Sequence, residues 1–248
     1  YEKVLDIYAQ DSLAAVNNQY HDIFVTHSYS QAWHSWYHVW RAENSLSERG
    51  LSKPIWLNES GVPAWDDYPG PVWDSKSGLR ATMREQADFI LQSAFYAIYA
   101  GADGIFHFQL YDGCGNQPAY TDFPPHSGEL CRADGKLVSD PSKPCAGDAN
   151  GLFRNPSDFI CFSQHPQPES GRPSLAAFQI LTTHMQGVEP LWRSRPGSDD
   201  PYNGPQEIIA LSQPNTGNRI IGMWSRDGRG HTAEITAEAS QATLIYPD

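Results

Sequence analysis

Apolar residues follow two textures along the chain. Up to about residue 187, short apolar runs that end in polar residues alternate with longer stretches of helical period; beyond it, only short runs between turn residues remain. Near the start, Asp11-Ser12 reads as an N-cap for a short helix Leu13 to Asn18. The segment His21 to Tyr29 has a β-rich core, Ile23-Phe24-Val25, and closes on His27-Ser28-Tyr29, as a buried parallel strand does at its functional end. A helix is predicted from Gln31 to Leu46, then a strand in Lys53 to Gly61, then a Trp/Pro/Gly-rich loop from Val62 to Ser77. Leu79, Met83, Ala87, Ile90, Leu91, Ala94 and Ile98 recur at helical spacing, and Gly101 is the natural stop. Gly104 to Tyr111 predicts a third strand ending at Asp112. Strand, helix, strand, helix, strand is the signature of βα units and a parallel sheet. Gly113 to Pro173 is rich in Gly, Pro and Cys, a length that calls for a function or for stapling. Ser174 reads as the cap of a helix to Met185, closed by Gly187. Glu207–Leu211, Arg219–Trp224, His231–Thr236 and Ala242–Tyr246 read as short strands, with turns at Asn215–Asn218 and Asp227–Gly230, giving an antiparallel module.

Composition narrows the class. With 40% hydrophobic residues over 248 positions, the chain is folded and can bury a large core. Lys+Arg total 17 against 29 Asp+Glu, a formal net charge of -12. That is the wrong sign for a nucleic-acid binder or for an anionic membrane surface. The longest apolar stretch, Phe89 to Phe106, is broken by Gln92, Ser93, Gly101, Asp103 and Gly104, so no bilayer span is expected. The chain opens at Tyr1 with neither Met nor a leader-like segment, which reads as a removed leader or a fragment. Its 4 cysteines, Cys114, Cys131, Cys145 and Cys161, cluster in one window. An even count predicts two disulfides and a secreted protein, with four free thiols as the alternative. Near-neighbour pairing, Cys114–Cys131 and Cys145–Cys161, is the expected one of three connectivities. Their spacing lacks the paired C-x2-4-C of a zinc site.

The sharpest chemical feature is Trp56-Leu57-Asn58-Glu59-Ser60-Gly61. An acid at the C-terminal end of an apolar parallel strand sits where βα barrels place catalytic groups, although a carboxylate that merely caps a loop fits the residue type equally. This segment resembles the seventh-strand motif of clan A glycoside hydrolases, the retaining (β/α)8 enzymes, in which this Glu is the nucleophile. The order of the other segments resembles that clan too. His27-Ser28-Tyr29 is similar to its sixth strand end, whose Tyr lies beside the nucleophile. Tyr99 to Gly104 followed by Ile105 to Asp112 resembles the seventh helix and eighth strand. Gly151-Leu152-Phe153-Arg154-Asn155 and Arg172-Pro173-Ser174-Leu175-Ala176-Ala177-Phe178 resemble the run into the eighth helix, and the terminal strands resemble the small β domain that follows the barrel in many members. Families 39 and 5 come closest. The likeness spans residues 20 to 248 apart from the cysteine-bearing insert.

The resemblance implies an α/β fold: residues 1–187 as the C-terminal portion of a TIM-barrel catalytic domain, with an insert at 113–162, and residues 188–248 as an antiparallel, sandwich-like β domain. It implies a retaining hydrolase of O-glycosidic bonds with Glu59 as nucleophile, ionised and helped by a hydrogen bond from Tyr29. Retaining hydrolysis needs a second carboxyl group about 5–5.5 Å away. In the clan this acid/base Glu follows an Asn on the fourth strand, yet Asn58-Glu59 is the single Asn-Glu pair in the sequence. Three or four strands cannot close an eight-stranded barrel. The expectation is therefore that the acid/base and the missing strands belong to an N-terminal part of the same enzyme, covalent or nicked.

His27, Tyr29, Trp33, Asn58, Trp65, Trp73, Phe108 and Gln109 are the candidate substrate-binding residues, with a carbohydrate as the partner. Of 8 tryptophans, Trp33, Trp36, Trp40, Trp56, Trp65 and Trp73 crowd together, and sugars stack on aromatic platforms. Trp36 and Trp40, one helical turn apart, read instead as core, and Trp56, opposite in parity to Leu57 and Glu59, as packed against helices. Phe108 falls where the clan carries a Trp beneath the sugar, with Gln109 or His107 as alternatives. His34 and His38 have metal-compatible spacing but no third ligand, so neither metal nor cofactor is expected. Asn58-Glu59-Ser60 is formally a glycosylation sequon that a buried strand end would leave empty. A carbohydrate-binding or structural extracellular protein with a degenerate hydrolase fold, or a transglycosylase, are the rival readings.

Overall fold

The computed structural model describes residues 1–29, 31–64, 66–67, 81–112, 142, 149–154, 167–198, 203–236 and 239–246. Its elements are α1 (Glu2–Ala9), a short 3-10 segment (Ala15–Tyr20), β1 (Phe24–Tyr29), α2 (Trp33–Ser47), β2 (Ile55–Gly61), α3 (Met83–Tyr99), β3 (Gly104–His107), α4 (Pro173–His184), β4 (Glu189–Ser194), β5 (Gln206–Gln213) and β6 (Asn218–Ser225). The chain is mixed α/β, with a parallel sheet in the order β1-β2-β3 and a separate antiparallel sheet in the order β4-β5-β6. Among the described residues no helix is long and apolar enough to cross a membrane.

Helix α3 joins the layers. Its start is fixed by a capping box: Glu85 donates its backbone N–H to Thr82 Oγ1 at 3.1 Å, and Thr82 returns its own N–H to Glu85 Oε2 at 2.7 Å. One side, at Ala97, meets Val39, Ala42 and Leu46 of α2 over Ile55 and Leu57 of β2. A second, through Ala87 and Ile90, packs on Ala177 and Leu181 of α4. The third carries Phe89, Phe95 and Tyr96 against Ile209 and Leu211 of β5. There a Cβ on Gly222 would stand 2.8 Å from the Phe95 ring, so β6 approaches the helix as only glycine permits. Beneath Tyr96, the buried carboxylate of Glu207 accepts from Arg193 Nε at 2.7 Å, Arg195 Nε at 2.8 Å and the Tyr96 hydroxyl at 2.6 Å. Burial pushes the Tyr96 hydroxyl above its ordinary range, reinforced by the Glu207 charge.

Several expectations are corrected. Asp11 does accept the Leu13 N–H at 2.9 Å, but the turn that follows is a broken 3-10 segment with Asn18, Gln19 and Tyr20 at positive φ, too short to propagate as a helix. The third strand ends at His107. Beyond it the chain leaves the sheet and pairs with the 150–153 segment, through Leu152 N–H to Gln109 O at 3.0 Å and Phe153 N–H to Leu110 O at 2.9 Å. Arg172, not Ser174, is the N-cap of α4, because Pro173 takes the first helical position. His231–Thr236 and the 242–246 run form no strand: both lie exposed, without a partner strand among the described residues. The third strand of the antiparallel sheet is instead β4, which pairs with β5 from Glu189↔Ser212 to Ser194↔Ile208.

Candidate active site

The register of β2 explains how Glu59 reaches the site. Along β1, Thr26 pairs with Leu57 but His27 pairs with Glu59, so Asn58 is an extra residue in β2. The same irregularity appears against β3, between Leu57↔Ile105 and Ser60↔His107. A β-bulge of this kind resets the alternation of faces. Leu57 points into the helix-side core, and after the bulge Glu59 joins the opposite, open face. Without the bulge, Leu57 and Glu59, two residues apart, would share a side.

On that face the Tyr29 hydroxyl donates to Glu59 Oε2 at 2.5 Å, and His27 Nδ1 stands 3.3 Å from the same oxygen. The Glu59 side chain is 36% exposed and that of His27 is 49% exposed, so the carboxylate sits in a half-open mouth. Phe108 brings its ring edge-on to Tyr29, 5.7 Å between centroids. Gly61 leaves that approach open, since a Cβ there would collide with the Phe108 carbonyl oxygen. Asn58 Oδ1 is buried with no hydrogen-bond partner among the described residues.

Four buried hydroxyls lie directly behind these residues, on the helix side. Ser35 Oγ meets Ser28 Oγ at 3.1 Å and Ser93 Oγ at 2.6 Å, and Ser93 Oγ meets Ser60 Oγ at 2.8 Å. Ser28 lies between His27 and Tyr29, and Ser60 follows Glu59, so this chain ties the ends of β1 and β2 to α2 and α3. A second lock closes the C-terminal side of the sheet. The buried Arg172 guanidinium donates Nε to Asp67 Oδ2 at 2.8 Å, Nη1 to Asp112 Oδ1 at 2.5 Å and Nη2 to Asp112 Oδ2 at 2.6 Å. Arg154 Nε adds 2.9 Å to Asp67 Oδ2. Burial works against the Arg172 charge, but the bonds and charges of Asp112 and Asp67 outweigh it and raise its pKa further. Three described carboxylates that follow the strands are thus engaged: Asp67 and Asp112 in this clamp, and Asp66 Oδ1 by the Met83 N–H at 2.7 Å.

The structure brings His27, Tyr29, Glu59 and Phe108 together, and Asn58 is the bulged residue beside Glu59, with its Oδ1 buried. Gln109 pairs through its backbone with the 150–152 segment. His107, the alternative to Phe108, faces away: its Nε2 lies 3.0 Å from Asn150 O and its ring meets Phe178, and burial pushes its pKa down to about 4. Trp33 opens α2 at the strand-end side, 42% exposed, with Nε1 donating to Gln31 Oε1 at 2.5 Å. Trp56 is corrected: Ile55 and Leu57 take the helix side, and Trp56 lies across the sheet against Phe106, 5.2 Å between ring centroids. Trp36 packs on the core as expected, whereas Trp40 is 45% exposed. Trp65, Trp73, Cys114, Cys131, Cys145 and Cys161 lie outside the described residues. Among the described residues no cluster of His, Cys, Asp or Glu could hold a metal ion. Sequence reasoning missed the Arg172 clamp and the serine chain. Arg172-Pro173 at a helix start was a visible signal for the first, and scattered serines gave none for the second. No protein-family model matches the chain, and neither does any curated protein.

Proposed function

We propose that this chain carries the nucleophile side of a retaining glycoside hydrolase active site, on an arc of a (β/α)8 barrel. The observation that carries the reading is the bulge at Asn58, which delivers Glu59 onto the open face of a parallel sheet, against the Tyr29 hydroxyl. Tyr29 and His27 both converge on Oε2, which leaves Oε1 as the oxygen to attack. In the first step Oε1 forms a bond to the anomeric carbon as the glycosidic C–O bond breaks. The departing oxygen takes a proton from the acid/base carboxyl group. In the second step that group, now a carboxylate, removes a proton from water, the water oxygen bonds the anomeric carbon, and Glu59 leaves as a carboxylate. Phe108 and Tyr29 supply an aromatic wall for a sugar ring.

Among the described residues Asp66, Asp67 and Asp112 are already engaged and the sheet is open at β1 and β3, which supports an acid/base carboxyl group supplied from another part of the enzyme. We assign both that Glu and the remaining strands to an N-terminal part of the same secreted enzyme. The test uses the chain complemented by that N-terminal part, with aryl β- and α-glycosides as substrates. Proton NMR should show the first-formed sugar with the anomeric configuration of the substrate, and Glu59→Gln should abolish turnover. Glycan binding with no turnover, even with the complementing part present, would replace the hydrolase by a carbohydrate-binding protein of the same fold.

A further inference from the structure

The helices of the parallel half each cover the seam between two strands. Helix α2 packs across β1 and β2, where Val39, Ala42 and Leu46 share a core with Phe24, Ile55 and Leu57. Helix α3 follows across β2 and β3, where Ala97 joins Leu57 and Ile105. Helix α4 continues the layer on α3, through Ala177 against Ala87 and Ile90, and so stands one step beyond β3. Beneath it there is no strand among the described residues, since β3 pairs with β2 on one side and with nothing on the other. After α4 the chain turns into β4 of the antiparallel sheet instead of returning to the parallel one. The vacant seam is visible in the packing. A cavity of about 530 Å³ opens between β3 and the two helices, walled by Phe89, Ile98, Ile105, Phe178, Leu181 and Met185. Ser174 and Ala177 are the buried residues of α4, while Phe178, Ile180 and Leu181 stay partly exposed. On the other face of the same edge, Phe106 is 46% exposed.

We infer that this seam is the seat of one further parallel β-strand, supplied by the N-terminal part and apolar on its α4 side. An open strand edge offers main-chain N–H and C=O groups that an extended segment pairs with, and the cavity takes the side chains which that segment projects to one face. Helix α4 has 12 residues, a length of ~18 Å that an extended strand spans in about five residues. By strand alternation, about three of these point into the groove, where the apolar walls select aliphatic side chains, and about two point to the open face beside Phe106 and Phe108. A second copy of this chain fits the seam poorly. About a two-fold axis its β3 pairs in the antiparallel sense, and its α4 falls on the place already held by the first. The origin of the strand rests on the hydrolase reading; the seat itself rests on the offset of the helix layer and does not.

Hydrogen–deuterium exchange on the 248-residue chain, alone and complemented by the N-terminal part, tests the seat. In the complex, amides of Gly104–His107 that β2 leaves free should exchange at least roughly tenfold more slowly. Thr182 is exposed on the groove side of α4, so Thr182→Arg sets a charge in the seat without touching the Glu59 site, and it should weaken the complex roughly tenfold in calorimetric titration. Thr183→Arg, equally exposed but outside the cavity wall, should leave the affinity unchanged. The Tm of each variant establishes that it is folded, and the exchange result stands if Thr182→Arg is not. Amides that exchange equally fast with the N-terminal part present, or a Thr182→Arg chain that binds it as wild type does, overturn the seat. So does sedimentation showing a dimer of the chain alone that Thr182→Arg dissociates, since the seam then serves a second copy. Covalent labelling of Glu59 by a fluoro-sugar is read separately: protection of β3 without labelling removes the hydrolase reading alone, and labelling with β3 unprotected removes the seat alone.

Discussion

Replacing Arg172 with Met should be among the most damaging single changes in the parallel half of the chain. The guanidinium is fully buried and makes three charge-assisted bonds to Asp67 and Asp112, and a fourth to Gly151 O at 3.0 Å. Met fills similar space without the charge. Asp67 would keep Arg154, but Asp112 would retain only the Gly151 N–H at 2.9 Å for a carboxylate that is almost wholly buried. Breaking one partner of a buried ion pair costs about 3–5 kcal/mol, and at this chain length each kcal/mol lowers Tm by about 2–4 °C. The expected loss is therefore roughly 6–20 °C by calorimetry, with a matching fall in the urea midpoint. The double variant Arg172→Met/Asp112→Asn, which removes the stranded charge, should be less destabilised than Arg172→Met alone. A single variant within about 1 kcal/mol of wild type, or a double variant in which the losses add, would refute the view of Arg172 as the clamp between the loop after β2, the segment after β3 and the start of α4.

Two further outcomes follow from the same geometry. Ser93→Ala strips a shared partner from Ser35 and Ser60, and leaving buried hydroxyls short of a bond should cost about 1–3 kcal/mol in chemical denaturation, whereas an effect below about 0.5 kcal/mol would show that the hydroxyls do not act as a chain. His107 has a folded pKa of about 4, below its unfolded value of about 6.5, so the unfolded chain takes up its proton first. Its contribution is fully present above pH 6.5 and is lost as pH falls towards 4, by up to about 3 kcal/mol. Stability measured between pH 7 and 4 should therefore fall less steeply for His107→Gln than for wild type, and parallel curves would refute this.

Much of the parallel half was legible from pattern alone. The apolar runs at Phe24-Val25 and Ile55-Trp56-Leu57 become β1 and β2, and the helical spacing of Met83, Ala87, Ile90, Ala94 and Ile98 becomes α3, because burial on a sheet and on a helix imposes those spacings. Glu59 stood out by its place at a strand end. Its face did not: alternation put it with Leu57, and the bulge at Asn58, a backbone feature set by pairing with both neighbours, moved it to the other side and left Trp56 off the helices. The antiparallel sheet shows the opposite failure. His231–Thr236 has strand-like residues but no partner among the described residues, while Glu189–Ser194, with Pro190 and two charged residues, becomes a strand because β5 offers it an edge. The Arg172 clamp joins positions far apart in sequence, and such long-range pairs leave no periodic trace.

The most direct test of the account is covalent trapping of the nucleophile. The chain is incubated with a panel of 2-deoxy-2-fluoroglycosyl fluorides, whose leaving group departs with little help from an acid, and the modified peptide is sequenced by mass spectrometry. The account predicts one fluoroglycosyl unit on the carboxylate of Glu59, absent in Glu59→Gln and slowed in Tyr29→Phe. A label on any other residue, or a chain that stays unmodified by every member of the panel when the complementing N-terminal part is present, contradicts it.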